Sequence, residues 1–270
     1  MTRGAYTRSL PVAAGLTFIL AVGCAPAVSQ SSPARSTNAG AEEISQPQTA
    51  PVATQEGQVD NRPGVAVWPF SKGVTFGSDP WDYGALEVGL QQMLITELAQ
   101  NSELRLVNRS HLREIIDELD LGQTGYVTPE TKAEVGRLVQ ARYIIFATFN
   151  DFDGTARLDA RIDNVETSEI LTETAVALED DRENLLRMVV QLGVRIVERA
   201  NLPRLPRQVV EERMSVDLSG EGAMLFSQAV LQESLGNRDE AVRLLNRVVT
   251  EFPDYKEARE MLEQVRGEHP

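Results

Sequence analysis

The sequence predicts an α/β domain, a mixed β-sheet flanked by helices, followed by a small all-α helical tail. Three observations carry that prediction. GVAVWPF, at 64–70, is a near-continuous apolar run of the kind that forms a buried strand. Two strand-like segments meet at Asp153-Gly154, a dipeptide that favours a tight hairpin turn. Around them, apolar residues recur at helical spacing, and beyond Gly222 the helical texture continues to the end.

In chain order, the first strand runs to Pro69, and SKGVTFGSDPWDY reads as a loop. Leu86, Leu90, Met93, Leu94 and Leu98 predict a helix over 84–100. LRLVNR (104–109) reads as a short strand, and Ser110 as the cap of a helix carrying Leu112, Ile115, Ile116 and Leu119. GQTGY breaks the chain. Thr128 then caps a helix with Pro129 at its first position, Val135, Leu138 and Val139 on its apolar face, and an end near Gln140. RYIIFATFNDF (142–152) is a strong strand. The next segment alternates, with Ala156, Leu158, Ala160 and Ile162 on one face and Arg157, Asp159, Arg161 and Asp163 on the other. EILTETAVALE (169–179) closes a meander, and Leu185, Leu186, Val189, Leu192, Val194 and Ile196 mark a last helix over 182–200. The domain spans 63–200, and the Pro-punctuated stretch from NLPRLPRQVV onward, 201–222, reads as a linker to a helical segment at 223–266.

The N-terminal region has a different character. Residues 1–9 carry Arg3 and Arg8 and no acid, and an apolar run, LPVAAGLTFILAV, follows. That is the layout of a secretory signal, and the run is too short for a good spanning helix, which needs about 20 apolar residues. The chain's single cysteine, Cys24, follows in AVGC. The segment resembles a bacterial lipobox, with Ala21 where leucine is usual. The resemblance implies a signal peptide over 1–23 and lipid attachment at Cys24, and hence a membrane partner held through an N-terminal lipid. One acyl chain binds a membrane only marginally, whereas two or three hold a soluble domain in place. Residues 24–62 contain no aromatic and few large aliphatics. Such a segment cannot bury enough surface to offset its ordering entropy, and it reads as a tether with a coil reach of roughly 35 Å.

Charge narrows the partners. The formal net charge is −14, and loss of Arg3 and Arg8 with the leader takes it to −16. Nucleic acid is thereby disfavoured as a partner, because a basic patch supplies most of that affinity. Electrostatic adhesion to anionic lipid is disfavoured for the same reason, which leaves anchoring to the acyl chains.

No constellation in the sequence points to catalysis. His111 and His269 are the only histidines, one at a helix start and one at the end of the chain, and both read as surface residues. No cysteine cluster exists for zinc, and neither a nucleophile elbow nor a phosphate loop is present. NDFDG lacks the later ligands of a calcium loop and reads as a hairpin turn. No cofactor is implied. Trp68 and Phe70 read as core residues; Phe76 and Trp81, in the predicted loop, read as a possible contact patch.

Four segments together resemble a known family. GVAVWPF, NRSHLREIIDEL, ARYIIFATFNDF and ARIDNVETSEIL are similar, in order and spacing, to the CsgG/HfaB family of curli production assembly/transport components. Arg109, Leu112, Ile115, Ile116 and Glu118 match its helix pattern, Ala141 to Phe146 its central strand, and Asn164 to Ile170 its corner, with Ser168 in place of glycine. The resemblance implies the family's periplasmic α/β fold. Cell-wall-synthase-activating outer-membrane lipoproteins and the N-terminal domain of TolB look similar at this level. Pore-forming members insert long amphipathic hairpins into this scaffold. Here one insertion point is reduced to NDFDGTAR, and the other, after Leu178, runs directly into EDDRENLL.

The tail, residues 223–255, resembles a tetratricopeptide repeat. Ala229, Gly236, Ala241, Leu245, Val248 and Pro253 stand at its small, turn, packing and terminating positions, and Gln232 stands where tyrosine is preferred. A lone repeat cannot bury a solenoid core, so it should pack on the preceding domain, self-associate or accept a partner helix. The combined expectation is a non-enzymatic, lipid-anchored envelope protein facing the periplasm from the outer membrane. It acts through protein partners, as a homo-oligomer in one version, in assembly, secretion support or scaffolding. Two alternatives stand beside it: an activator of a peptidoglycan synthase, and a periplasmic ligand-binding or hydrolytic protein.

Overall fold

The computed structural model describes residues 60–76, 81–119, 121, 128–167, 169–170, 175–216 and 218–267. The leader, Cys24, the tether up to residue 59, and His269 lie outside the described residues. The described end of the expected tether is tied down: Arg62 pairs with Asp60 at 2.7 Å and donates to the Ser102 carbonyl at 3.1 Å.

Among the described residues, seven strands make one mixed sheet. They are β1 (Gly64–Val67), β2 (Ser71–Phe76), β3 (Arg105–Leu106), β4 (Tyr143–Phe152), β5 (Thr155–Asn164), β6 (Glu169–Ile170) and β7 (Val176–Asp181). β3 and β4 flank β1 in parallel, and β4 and β5 form an antiparallel hairpin. β2 is a strand, not the loop read from the sequence. It pairs parallel to the far half of β4, Ser71 opposite Thr148 and Phe76 opposite Phe152. β1 and β2 are therefore two pieces lying along the same side of β4. Between them Pro69 has no N–H to give the ladder, and the Phe70 N–H turns to the Glu87 carbonyl instead. The predicted last strand is likewise split, β6 and β7 both pairing with β5.

The helices are α1 (Tyr83–Ala99), α2 (Arg109–Glu118), α3 (Pro129–Leu138), α4 (Leu185–Arg199), α5 (Arg207–Met214), α6 (Gly220–Ser234), α7 (Arg238–Glu251) and α8 (Lys256–Gly267). Thr128 caps α3 as its position predicts, accepting from the Thr131 N–H at 3.3 Å. The cap of α2 is Asn108 rather than Ser110, because the Asn108 side-chain oxygen accepts from the Ser110 and His111 N–H groups at 2.8 and 3.3 Å. The expected linker contains a helix, α5, which starts after Pro206.

Two apolar cores lie on opposite faces of the sheet. On one face Ala66, Trp68, Ile144 and Phe146 pack with α2 and α3. On the other, Val65, Val67, Ile145 and Phe149 pack with α1 and α4, and this core continues without a break into Phe226, Leu245, Tyr255 and Leu262 of the tail. α1 buries residues all round, from Leu86 and Leu90 to Gln91 and Glu97, since it has neighbours on several sides. The Gln91 amide offsets its burial by donating to the Val67 carbonyl at 2.7 Å. Asp163, on the polar face of the alternating strand, is buried beneath α3, where the Lys132 Nζ pairs with it at 2.6 Å.

Candidate functional site

The histidine and the turn occupy the positions that the sequence suggests. His111 is exposed on the first turn of α2, 3.7 Å from Glu114. The β4–β5 hairpin reverses at Asp153 and Gly154, both with positive φ (54° and 100°), a conformation that glycine accepts at no steric cost. Asp151, fully buried beside the turn, accepts from the Gly154 N–H at 2.9 Å and from Arg182 at 3.2 Å. Its carboxylate is thus committed to holding the hairpin. Among the described residues no group of three or more His, Cys, Asp or Glu is arranged to hold a metal ion.

Of the two aromatics read as a contact patch, only Phe76 is well exposed. It lies on β2, 61 % exposed, with its ring 6.0 Å from that of Phe152. Trp81 is half-buried against the main core, and the Arg182 guanidinium lies 4.7 Å over its ring.

The most elaborate constellation is one the sequence does not reveal: the seam between the α/β domain and the tail. Arg109 sits at the start of α2 and is almost wholly buried. Its guanidinium reaches Glu233 and Ser234 at the end of α6 and the Gln92 side chain on α1. Arg113, one turn on, donates to the Ser234 carbonyl at 2.7 Å, where the last turn of a helix exposes unpaired carbonyls and partial negative charge. At a second point Arg213 of α5 forks onto Glu97 of α1, at 2.6 and 3.0 Å, and onto Glu257 of α8 at 2.7 Å.

Both acids facing Arg213 are nearly inaccessible. Burial pulls the guanidinium towards neutrality, but the hydrogen bonds and charge of Glu97, with the charge of Glu257, outweigh it and hold the group more firmly protonated than usual. Close by, Tyr255 packs edge-on to Phe226 with ring centroids 5.1 Å apart. Its burial, reinforced by the charges of Glu257 and Glu97, pushes the phenol well above the usual tyrosine range.

The tail therefore takes the first of the three courses open to a lone repeat. It packs on the preceding domain, sharing one core with it and clasped by arginines at two points.

Comparison with known proteins bears on the same two parts. The model of the curli production assembly/transport component CsgG family matches residues 48–161, and that of a tetratricopeptide repeat matches 223–255. The first match falls mainly on the sheet and helices α1–α3, and the second on α6 and α7. No curated protein matches it by sequence. Several solved structures are faintly similar, three of them as follows. The C-terminal domain of LpoB from Escherichia coli is 19% identical, the match covering 46% of this chain and 86% of that one at a TM-score of 0.35. Lipoprotein GNA1162 from Neisseria meningitidis is 13% identical over 50% of this chain and 96% of that one, with a TM-score of 0.37. The PelC dodecamer from Paraburkholderia phytofirmans is 9% identical over 54% and 91%, with a TM-score of 0.31.

Proposed function

We propose that this chain, which joins a CsgG-type domain to a tetratricopeptide repeat, is a non-enzymatic, lipid-anchored scaffold of the cell envelope. In this reading acyl chains on Cys24 hold it to the outer membrane from the periplasmic side. Ala25, which follows the cysteine, provides no aspartate to retain it at the inner membrane. The body then acts through protein contacts in assembly or secretion support.

The observation that carries the scaffold reading, as against a pore, is the β4–β5 hairpin. All ten residues of each strand are paired within the sheet, from Tyr143 opposite Asn164 to Phe152 opposite Thr155, and the chain reverses at once. β7 ends at Asp181 and passes directly into a short 3₁₀ turn and α4. Neither place holds the additional strands of about 9–11 residues that a barrel hairpin requires. Planar-bilayer recording tests this. The purified protein should give no unitary conductance, and reproducible steps that scale with protein added would overturn the scaffold reading.

A further inference from the structure

Between α1, α4 and α5 lies a cavity of about 310 Å³, open to solvent at one side. We propose that it is a binding site for a fatty acid, with the chain inside and the carboxylate at the mouth.

The walls are hydrocarbon: Leu98 from α1, Val190, Val194 and Val197 from α4, and Leu205 and Val210 from the segment that crosses them. Gly193 adds to the space, since a β-carbon there would meet nothing closer than Leu94 at 3.4 Å. The volume sits at the lower end of small-ligand sites, which run from about 300 to 1,000 Å³. It suits one slender chain rather than a two-chain lipid.

The cover over this cavity is unusual for a helix of a packed domain. No residue of α5 is fully buried, and its apolar residues, Val209, Val210 and Met214, are only half-buried, so apolar burial accounts for little of its position. It is held at its ends. The Asn101 amide donates to the Pro203 carbonyl at 2.5 Å, and Arg213 is clasped by Glu97 and Glu257. Pro203 and Pro206 stiffen the approach. A strap fixed at both ends over a hydrocarbon-lined space forms a lid that a guest can fill without unfolding anything.

Charge fixes the orientation of the guest. At the inner end one guanidinium, Arg213, faces two carboxylates, Glu97 and Glu257, an excess of one negative charge. At the mouth two exposed guanidiniums, Arg204 and Arg207, stand against one carboxylate, Glu198, which is 4.0 Å from Arg204. An anionic head is repelled from the inner end and attracted to the mouth. A cationic head finds the opposite and would have to enter past two arginines.

The test uses the chain carrying Cys24→Ser in detergent-free buffer, titrated with cis-parinaric acid, whose fluorescence rises in an apolar site. Saturable binding is expected. Dodecanoate should displace the probe at least about tenfold better than dodecanol or dodecyltrimethylammonium, the ratio that about 1.4 kcal/mol of head-group discrimination produces. Val194→Trp, which fills the cavity, should abolish probe binding. Arg204→Glu with Arg207→Glu, both on the surface, should leave the fold intact and reverse the order of the heads. Absence of a saturable signal on a folded chain overturns the proposal. So does equal displacement by all three heads, or undiminished binding in Val194→Trp.

Discussion

Gly89 of α1 and Ser227 of α6 are in backbone-to-backbone contact. A β-carbon on Gly89 would lie 2.6 Å from the Ser227 Cα and 2.3 Å from its Cβ, closer than any real side chain tolerates. The Ser227 hydroxyl oxygen would be closer still to that β-carbon, at 2.0 Å, and it is held there by donating to the Ala223 carbonyl of its own helix at 2.7 Å. This crossing lets the repeat share the core of the α/β domain and makes the two parts one packed unit.

Gly89→Ala should therefore act on docking. The methyl meets backbone on α6, so the helices must move apart rather than adjust a rotamer. Overpacking of this kind costs about 1–3 kcal/mol. Hydrogen exchange resolved by segment should show the loss of protection concentrated in α6–α8 and α1, with β4 and β5 spared. Uniform protection equal to that of the parent would mean that this crossing is looser than its geometry indicates.

Arg213→Ala should be the most damaging single change at the seam. It leaves Glu97 and Glu257 buried without a cation, and breaking a buried pair by removing one partner costs about 3–5 kcal/mol. Glu257→Gln added to Arg213→Ala should recover part of that loss, because one of the two stranded charges is gone. The double variant matching or falling below Arg213→Ala in denaturant midpoint would show that the clasp carries no such charge penalty.

Alkaline pH should unlock the tail through Tyr255. The folded protein holds the phenolic proton more tightly than the unfolded chain does, so stability from this group is fully present below about pH 10. It is lost as pH rises from there towards the folded value, at about 1.4 kcal/mol per pH unit for one proton. Urea midpoints between pH 9 and 11 should fall more steeply in the parent than in Tyr255→Phe. Parallel slopes in the two proteins would exclude Tyr255 as the group responsible.

Replacing Gly154 should strain the β4–β5 turn although nothing crowds it, since its φ of 100° is the constraint and no atom lies within 4 Å of a β-carbon there. Gly154→Val should destabilise by about 1–3 kcal/mol. The loss should be smaller in Gly154→Asn, because asparagine tolerates positive φ better. Thermal melts of the two variants that rank the other way would argue against the turn geometry.

The sheet and its flanking helices are legible in the sequence where a pattern is set by burial on one face. The alternation of β5 is of that kind, while α1 and α3 are legible from the helical spacing of Leu86 to Leu98 and from the Thr128-Pro129 cap. β2 escapes notice because its residues alternate only between half-buried and exposed, and its strand form comes from pairing with β4 rather than from its own composition. α5 escapes because two prolines precede it and its apolar face is short, Val209, Val210 and Met214, and only half-buried. The seam is the least legible feature. Arg109 and Glu233 are 124 positions apart, and an arginine about to be buried looks in one sequence like any solvated arginine. The family resemblance singles out Arg109 as part of a helix pattern; its grip on the end of α6 is apparent only in three dimensions.

The central claim, that this packed unit hangs on the envelope by a lipid at its N-terminal side, is tested most directly by membrane fractionation of Cys24→Ser beside the parent after a high-salt wash. The account predicts that the parent sediments with membranes. The serine variant should be recovered in the soluble fraction with an unchanged melting temperature, because the proposed anchor is covalent and Cys24 is not among the residues that form either core. A serine variant that still sediments with washed membranes would contradict it.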